Sequence, residues 1–224
     1  MIPTDTIAPV EPATRDDAVP VRPHIVGLGG SLRPSSSSLR ALEVALAACW
    51  NADASVDLVD VRELGLPLYG STGEVTPPAA VHLADLAEAA DAMIWSSPLY
   101  HGTVSASFKN ALDWLQLLSR RDPPFLTGKP VGLIATAAGT QALQAVNTME
   151  FVVRALRGWT VPLVVPVARA HQAFDEAGQP RDPALADQLS HLGHEVTAVA
   201  RRMAEPLRTG TDRRRRESSP IASR

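Results

Sequence analysis

Short apolar runs alternate along the chain with longer stretches in which apolar side chains recur every three or four residues. The runs are Ile25-Val26-Gly27-Leu28-Gly29, Val56-Asp57-Leu58-Val59-Asp60, Ala92-Met93-Ile94-Trp95, Val131-Gly132-Leu133-Ile134-Ala135 and Pro162-Leu163-Val164-Val165-Pro166-Val167. Each has the length and composition of a buried strand. Helical periodicity fills the intervals over residues 39–50, 79–90, 103–115, 141–157 and 183–203. Strict alternation of this kind predicts an α/β domain, a parallel sheet with helices on both faces joined by right-handed crossovers. The doubly wound five-stranded order 2-1-3-4-5 fits, and it puts the switch point between strands one and three, where such sheets bind ligands.

The connections divide the chain further. Pro98 cannot continue a central strand, so the chain is expected to leave the sheet at Ser96-Ser97-Pro98 and to start a helix carrying Val104, Phe108, Leu112 and Leu115 on its inner stripe. Residues 62–78 form a Gly- and Pro-punctuated loop longer than the usual ~4 to 6 residues, a length that points to function. Residues 1–22 hold scattered prolines and acids without an apolar period and read as a disordered leader. Residues 23–205 read as the domain, and residues 206–224 as a basic disordered tail.

Composition narrows the setting. The chain has 224 residues, 45% of them hydrophobic, with a formal charge of −3. One cysteine, Cys49, excludes a disulfide framework and a thiolate metal site. No apolar run approaches the ~18 residues of a membrane span, and the N-terminus lacks the basic start and apolar middle of a secretory signal, so a cytoplasmic protein without a membrane partner is expected. Arg213-Arg214-Arg215-Arg216 reads as a solvated tail, not a nucleic-acid contact. His191 and His194 stand one helical turn apart without a third ligand, so no metal is expected.

Two stretches carry chemistry. Gly30-Ser31-Leu32-Arg33-Pro34-Ser35-Ser36-Ser37-Ser38 is a hydroxyl-rich loop with one cation feeding a helix N-terminus, a set of donors suited to phosphate. It lacks the lysine of a G-x-x-x-x-G-K-[ST] triphosphate loop. Gly27 and Gly29 begin a G-x-G-x-x-G dinucleotide fingerprint, but Leu32 stands at the third position, where its side chain obstructs close helix packing. A monophosphate fits best, with the rest of its ligand resting on the turn Pro98-Leu99-Tyr100-His101-Gly102.

The loop Gly30-Ser31-Leu32-Arg33 with its following serines, and Ser97-Pro98-Leu99-Tyr100 continuing through Phe108-Lys109-Asn110-Ala111-Leu112-Asp113-Trp114, together resemble the NADPH-dependent FMN reductase family of flavodoxin-like proteins over roughly residues 24–203. The resemblance implies FMN with its phosphate on Ser31, Arg33, Ser36 and Ser38, Ser37 assisting. It implies that Pro98, Leu99, Tyr100, His101 and Gly102 wrap the isoalloxazine, and that Gly139, Thr140 and Gln141 offer backbone groups to the pyrimidine edge. Family members often carry Asn where Ser38 stands, Asn or Lys at His101, and glycine where Ala138 precedes Gly139.

The activity implied is hydride transfer from NADPH or NADH through bound FMN to a flavin, quinone or similar acceptor. A flavin-dependent monooxygenase is then a candidate partner for the reduced flavin. Hydride transfer needs positioning and electrostatics but no catalytic acid or base. His101 is therefore either a proton donor beside the flavin or a surface residue of its turn. The alternatives are a non-enzymatic flavodoxin-type electron carrier, against which stands the missing T-x-T-G-x-T-type loop, and a NAD-binding Rossmann dehydrogenase. Lys109 and Asn110 read as helix-surface and local structural residues. Trp114 and Leu117 lie off the inner stripe of their helix, and Phe151, Val152 and Trp159 thicken the next long helix; they read as apolar surface that, with the family's habit, implies a homodimer.

Overall fold

The computed structural model describes residues 22–204, Glu74 excepted. The expected leader lies outside the described residues apart from Arg22, and the expected tail lies outside them entirely.

In chain order the elements are β1 His24–Gly29, α1 Ser37–Asn51, β2 Ser55–Asp60, α2 Val61–Leu64, α3 Pro78–Ala89, β3 Ala92–Tyr100, β4 Thr103–Val104, α4 Ala106–Trp114 with a 3-10 turn Leu115–Arg120, β5 Pro130–Thr136, α5 Leu143–Ala155, β6 Trp159–Val167, α6 Ala170–Ala173 and α7 Pro183–Ala204. Five strands run parallel in the order β2-β1-β3-β5-β6, the doubly wound arrangement expected from the alternation. The strand count differs from five, because β4 pairs antiparallel with the end of β3 as a sixth strand.

That hairpin corrects the reading of Pro98. The strand does not end there: Pro98 stays in register with Thr136 of β5, and the pairing with β4 runs on through Tyr100. On the other flank β1 stops at Gly29, opposite Ser96, so beyond that point no neighbour there needs an N–H from β3. The missing donor of proline therefore costs nothing at this position.

Alternate residues of the central strands feed two cores. Trp95 and Leu133 pack under α3, α4 and α5 on one face, and Ile94 and Ile134 under α1 and α7 on the other. Gly193 brings α7 against α1 so closely that a Cβ there would overlap the Ala45 carbonyl. This fixes α1, and with it the loop that precedes it. Among the described residues no helix is long and apolar enough to cross a membrane.

Candidate active site

The loop after β1 closes by serine chemistry. Ser36 sits in extended backbone as the N-cap of α1, its Oγ accepting from Leu39 N at 3.4 Å. The same hydroxyl is 2.7 Å from Ser38 Oγ. Arg33 N donates to Ser31 Oγ at 3.2 Å, and Ser37 Oγ donates to Ala170 O at 2.9 Å, joining the start of α1 to α6. Ser31, Ser36 and Ser38 are buried while Arg33 is exposed. The first turn of α1 holds no acid, so the backbone donors left over at a helix start and the positive end of its dipole meet no competing charge.

Buried serines of β3 and α4 bind this loop to the next. Ser96 Oγ donates to Ser38 O at 2.7 Å, and Ser105 Oγ donates to Gly30 O at 2.5 Å. Ser105 also caps α4 and takes its own N–H to Ser97 Oγ at 3.1 Å. Between β3 and β4 the chain reverses at His101 and Gly102, with φ of 49° and 86°. Two left-handed residues are what a tight two-residue hairpin requires. Thr103 Oγ1 lies 3.2 Å from Thr148 Oγ1, which steadies the hairpin on α5.

The third wall comes from the carboxyl ends of β5 and β6. Ala137 N donates to Val167 O and Ala170 N to Ala137 O, both at 2.9 Å, and Arg169 N donates to Gly139 O at 2.9 Å. A cleft of about 460 Å³ opens between these walls, within the range of small-molecule sites. Of the residues expected to bind, Ser31, Arg33, Ser36, Ser37, Ser38, Pro98, Leu99 and Tyr100 all line it. His101 and Gly102 do not line it and form the hairpin tip just beyond Tyr100. Gly139, Thr140 and Gln141 do not line it either, and follow directly on Thr136, Ala137 and Ala138, which do. The Gly139 carbonyl is already engaged by Arg169, and the Gln141 carbonyl by Gln144 N at 3.0 Å.

Ser35 and Ala170 also line the cleft, as do Arg40, Thr136, His171 and Phe174, and these last four escaped the sequence reading. Arg40 could have been found as a second cation one turn into α1. The other three come from distant elements with no local signal. Arg40 Nη1 donates to Asp175 O at 3.0 Å, so it also braces the segment after α6.

Two corrections concern the helix beyond. Trp114 is not surface: it is 4% exposed, packs edge to face on Tyr69 with ring centroids 5.1 Å apart, and donates from Nε1 to Pro67 O at 2.9 Å. Trp159 begins β6 instead of thickening α5. Asn110 plays the structural part expected of it, accepting from Tyr69 N at 2.8 Å and donating to Pro67 O at 2.9 Å, so α4 holds the long loop after α2. Lys109 pairs with Asp113 across one helical turn at 2.6 Å.

The residues present fit FMN. One end of the cleft offers buried hydroxyls, a helix start and the guanidinium groups of Arg33 and Arg40. The other end offers the apolar surfaces of Pro98, Leu99 and Tyr100, and among the described residues no carboxylate lines the cleft. A dianionic phosphate ester bearing a flat ring matches that division.

Comparison with known proteins agrees. Residues 23–172 match the family model described as NADPH-dependent FMN reductase. The chain is 32% identical over 200 residues to the NADPH-dependent FMN reductase ArsH of Shigella flexneri, covering 88% of this chain and 75% of that one. Its identity to the enzyme of the same name from Acidithiobacillus ferrooxidans is 34% over 176 residues, covering 78% and 72%. Among solved structures it resembles FerB, a flavoenzyme NAD(P)H:(acceptor) oxidoreductase from Paracoccus denitrificans, with a TM-score of 0.67 at 20% identity, covering 81% of this chain and 98% of that one. That likeness establishes the flavodoxin-like fold, and the sequence matches establish the rest: this chain belongs to the NADPH-dependent FMN reductase family.

Proposed function

We propose that the cleft seats FMN with its phosphate on Ser31, Arg33, Ser36, Ser37 and Ser38 and its ring against Pro98, Leu99 and Tyr100, with His101 and Gly102 as the hairpin tip at the edge of that platform. Gly139, Thr140 and Gln141 then stand at the pyrimidine edge. In this reading the enzyme uses NADPH or NADH to reduce a flavin, a quinone or a similar acceptor in the cytoplasm. A flavin-dependent monooxygenase is a suitable partner when the acceptor is free flavin. The observation that carries it is the convergence of the serine loop, the β3–β4 hairpin and the end of β5 on one cleft that no carboxylate lines among the described residues.

When bound, FMN supplies the two-electron hydride relay between nicotinamide and acceptor. The protein supplies placement. Ser31, Ser36 and Ser38 present hydroxyls whose positions are fixed by the hydrogen bonds around them, so little order has to be created on binding. Arg33, exposed at the mouth, adds charge that draws in an anion. The short hairpin holds Pro98 to Tyr100 as a rigid platform, because the turn is pinned to α4 through Ser105 and to α5 through Thr103. No side chain has to move a proton for a hydride to pass.

The same reading gives a homodimer. Phe151 is 67% exposed, Trp159 62% and Leu143 49%, a large apolar display for the outer side of α5 and the edge strand β6. Light scattering at micromolar concentration tests this, and a monomeric mass would refute it.

The decisive experiment is the visible spectrum of the purified protein supplied with FMN, followed anaerobically as NADPH and then NADH are added. Bound flavin bleached by either nucleotide supports the reading. Flavin that binds and stays oxidised would make the protein a carrier, and failure to bind FMN would remove the site.

A further inference from the structure

The flavin cleft has a neighbour on the far side of α6. Ala170, His171 and Phe174 face the first cleft. Arg169, Gln172 and Ala173 face a second, of about 360 Å³, whose other wall is Arg181 and the start of α7. Both open at the carboxyl end of the sheet, and one short helix separates them. Arg169 belongs to both surroundings: its N–H holds the Gly139 carbonyl in the turn assigned to the flavin's pyrimidine edge, while its side chain lines the second cleft.

Two features suit this cleft to a phosphate. Arg169 has a left-handed backbone, φ 47° and ψ 44°, where glycine would be the least strained residue. An arginine held at such a position points to a use for its side chain. Its guanidinium makes no ion pair or hydrogen bond among the described residues. Arg181 is fixed instead, with Nε donating to Phe174 O at 3.2 Å, which leaves its terminal N–H groups to a ligand. Gln172 and Gln188 add amide donors. The single carboxylate in the lining among the described residues, Asp182, is partly satisfied by Ala184 N at 2.9 Å, where it caps the start of α7.

We infer that this second cleft binds the 2′-phosphoadenosine end of NADPH, Arg169 and Arg181 gripping the 2′-phosphate. The inference rests on the flavin-reductase reading, since the nicotinamide end must reach the neighbouring cleft. Two guanidinium groups are the chemistry that recognises a phosphate dianion and distinguishes NADPH from NADH, which carries only a hydroxyl there.

The test is titration calorimetry of the full chain loaded with FMN, using adenosine 2′,5′-bisphosphate, 5′-AMP and inorganic phosphate as probes. The bisphosphate is expected to bind at least tenfold more tightly than 5′-AMP. Arg169→Gly, which relieves the left-handed backbone and so spares the fold, and Arg181→Gln are each expected to remove most of that preference. In turnover, each should raise the ratio of KM for NADPH to KM for NADH about tenfold. Equal binding of the two nucleotides, inorganic phosphate binding as tightly as the bisphosphate, or a preference that survives both substitutions would each overturn the assignment. Calorimetry reads binding without turnover. A protein that binds FMN and is bleached by NADPH yet shows no 2′-phosphate preference therefore defeats this inference alone.

Discussion

Ser105 Oγ donates to Gly30 O at 2.5 Å while accepting from Phe108 N at 3.2 Å, so one buried hydroxyl both caps α4 and ties the loop after β1 to the β3–β4 hairpin. The two halves of the cleft are thus joined by a residue that does not line it. Gly30 has little freedom of its own, because a Cβ there would lie 2.7 Å from the Phe108 side chain.

Ser105→Ala should therefore act twice. Loss of the cap costs about 1 kcal/mol, and the stranded Gly30 carbonyl adds about 1 kcal/mol or more. Denaturant unfolding should show a loss of about 2 kcal/mol in total. The FMN dissociation constant should rise several-fold as the two walls loosen. A variant with unchanged FMN affinity would mean that the walls are held by other bonds.

Arg33 differs from the serines around it because it is exposed. Its contribution to FMN binding should be electrostatic and screened by salt. Arg33→Ala is expected to weaken FMN about tenfold at low ionic strength and to flatten the salt dependence of the dissociation constant, with stability unchanged within about 0.5 kcal/mol. Equal salt slopes for the two proteins would assign the phosphate charge to Arg40.

Much of this was legible in the chain because it is written locally. Apolar runs and helical periods give the five parallel strands and their order, and Ser36 with its neighbours announces a helix start. What the sequence hides is contact between distant segments. Trp114 lies off the inner stripe of α4, yet Pro67 and Tyr69 from the loop after α2 cover it. Pro98 looks like a strand stop because its missing N–H matters only if a neighbour needs it, and β1 has already ended there. His171 and Phe174 reach the cleft from a four-residue helix too short to leave a period.

His101 had two readings, proton donor or turn residue, and its backbone favours the second. With φ 49° it occupies a conformation that Asn adopts more readily. His101→Asn should leave the melting temperature unchanged or slightly raised. The pH dependence of quinone reduction should keep its shape. Loss of the alkaline limb, the fall in rate as a required proton donor deprotonates, would instead make the imidazole a proton donor.

Cys49 gives a prediction of opposite character, a group that stays silent because the fold keeps water away. It lies on the α1 face against α7, fully buried, with Sγ donating to Gly193 O at 3.3 Å. Burial pushes its thiol up from 9.0 to about 11, partly offset by a hydrogen bond with Thr197. Between those values the unfolded chain releases the proton while the folded chain keeps it. Stability is therefore full below about pH 9 and falls as pH rises toward 11, with a slope of about 1.4 kcal/mol per pH unit at its steepest. Lys129 works against this trend. Burial lowers its ammonium below 10.5 despite nearby Asp91 and Glu88, so the folded chain releases that proton first and gains stability as pH rises. Comparing the native protein with Cys49→Ala removes the Lys129 contribution, which is common to both. Urea unfolding from pH 8 to 11 should show the stability difference between them shrinking by about 2 kcal/mol in favour of the alanine variant. At pH 8 an aromatic disulfide reagent should leave the folded thiol untouched and titrate one equivalent after denaturation. Rapid reaction of the native protein, or a difference that stays constant with pH, would mean that α7 opens away from α1 on the timescale of the measurement.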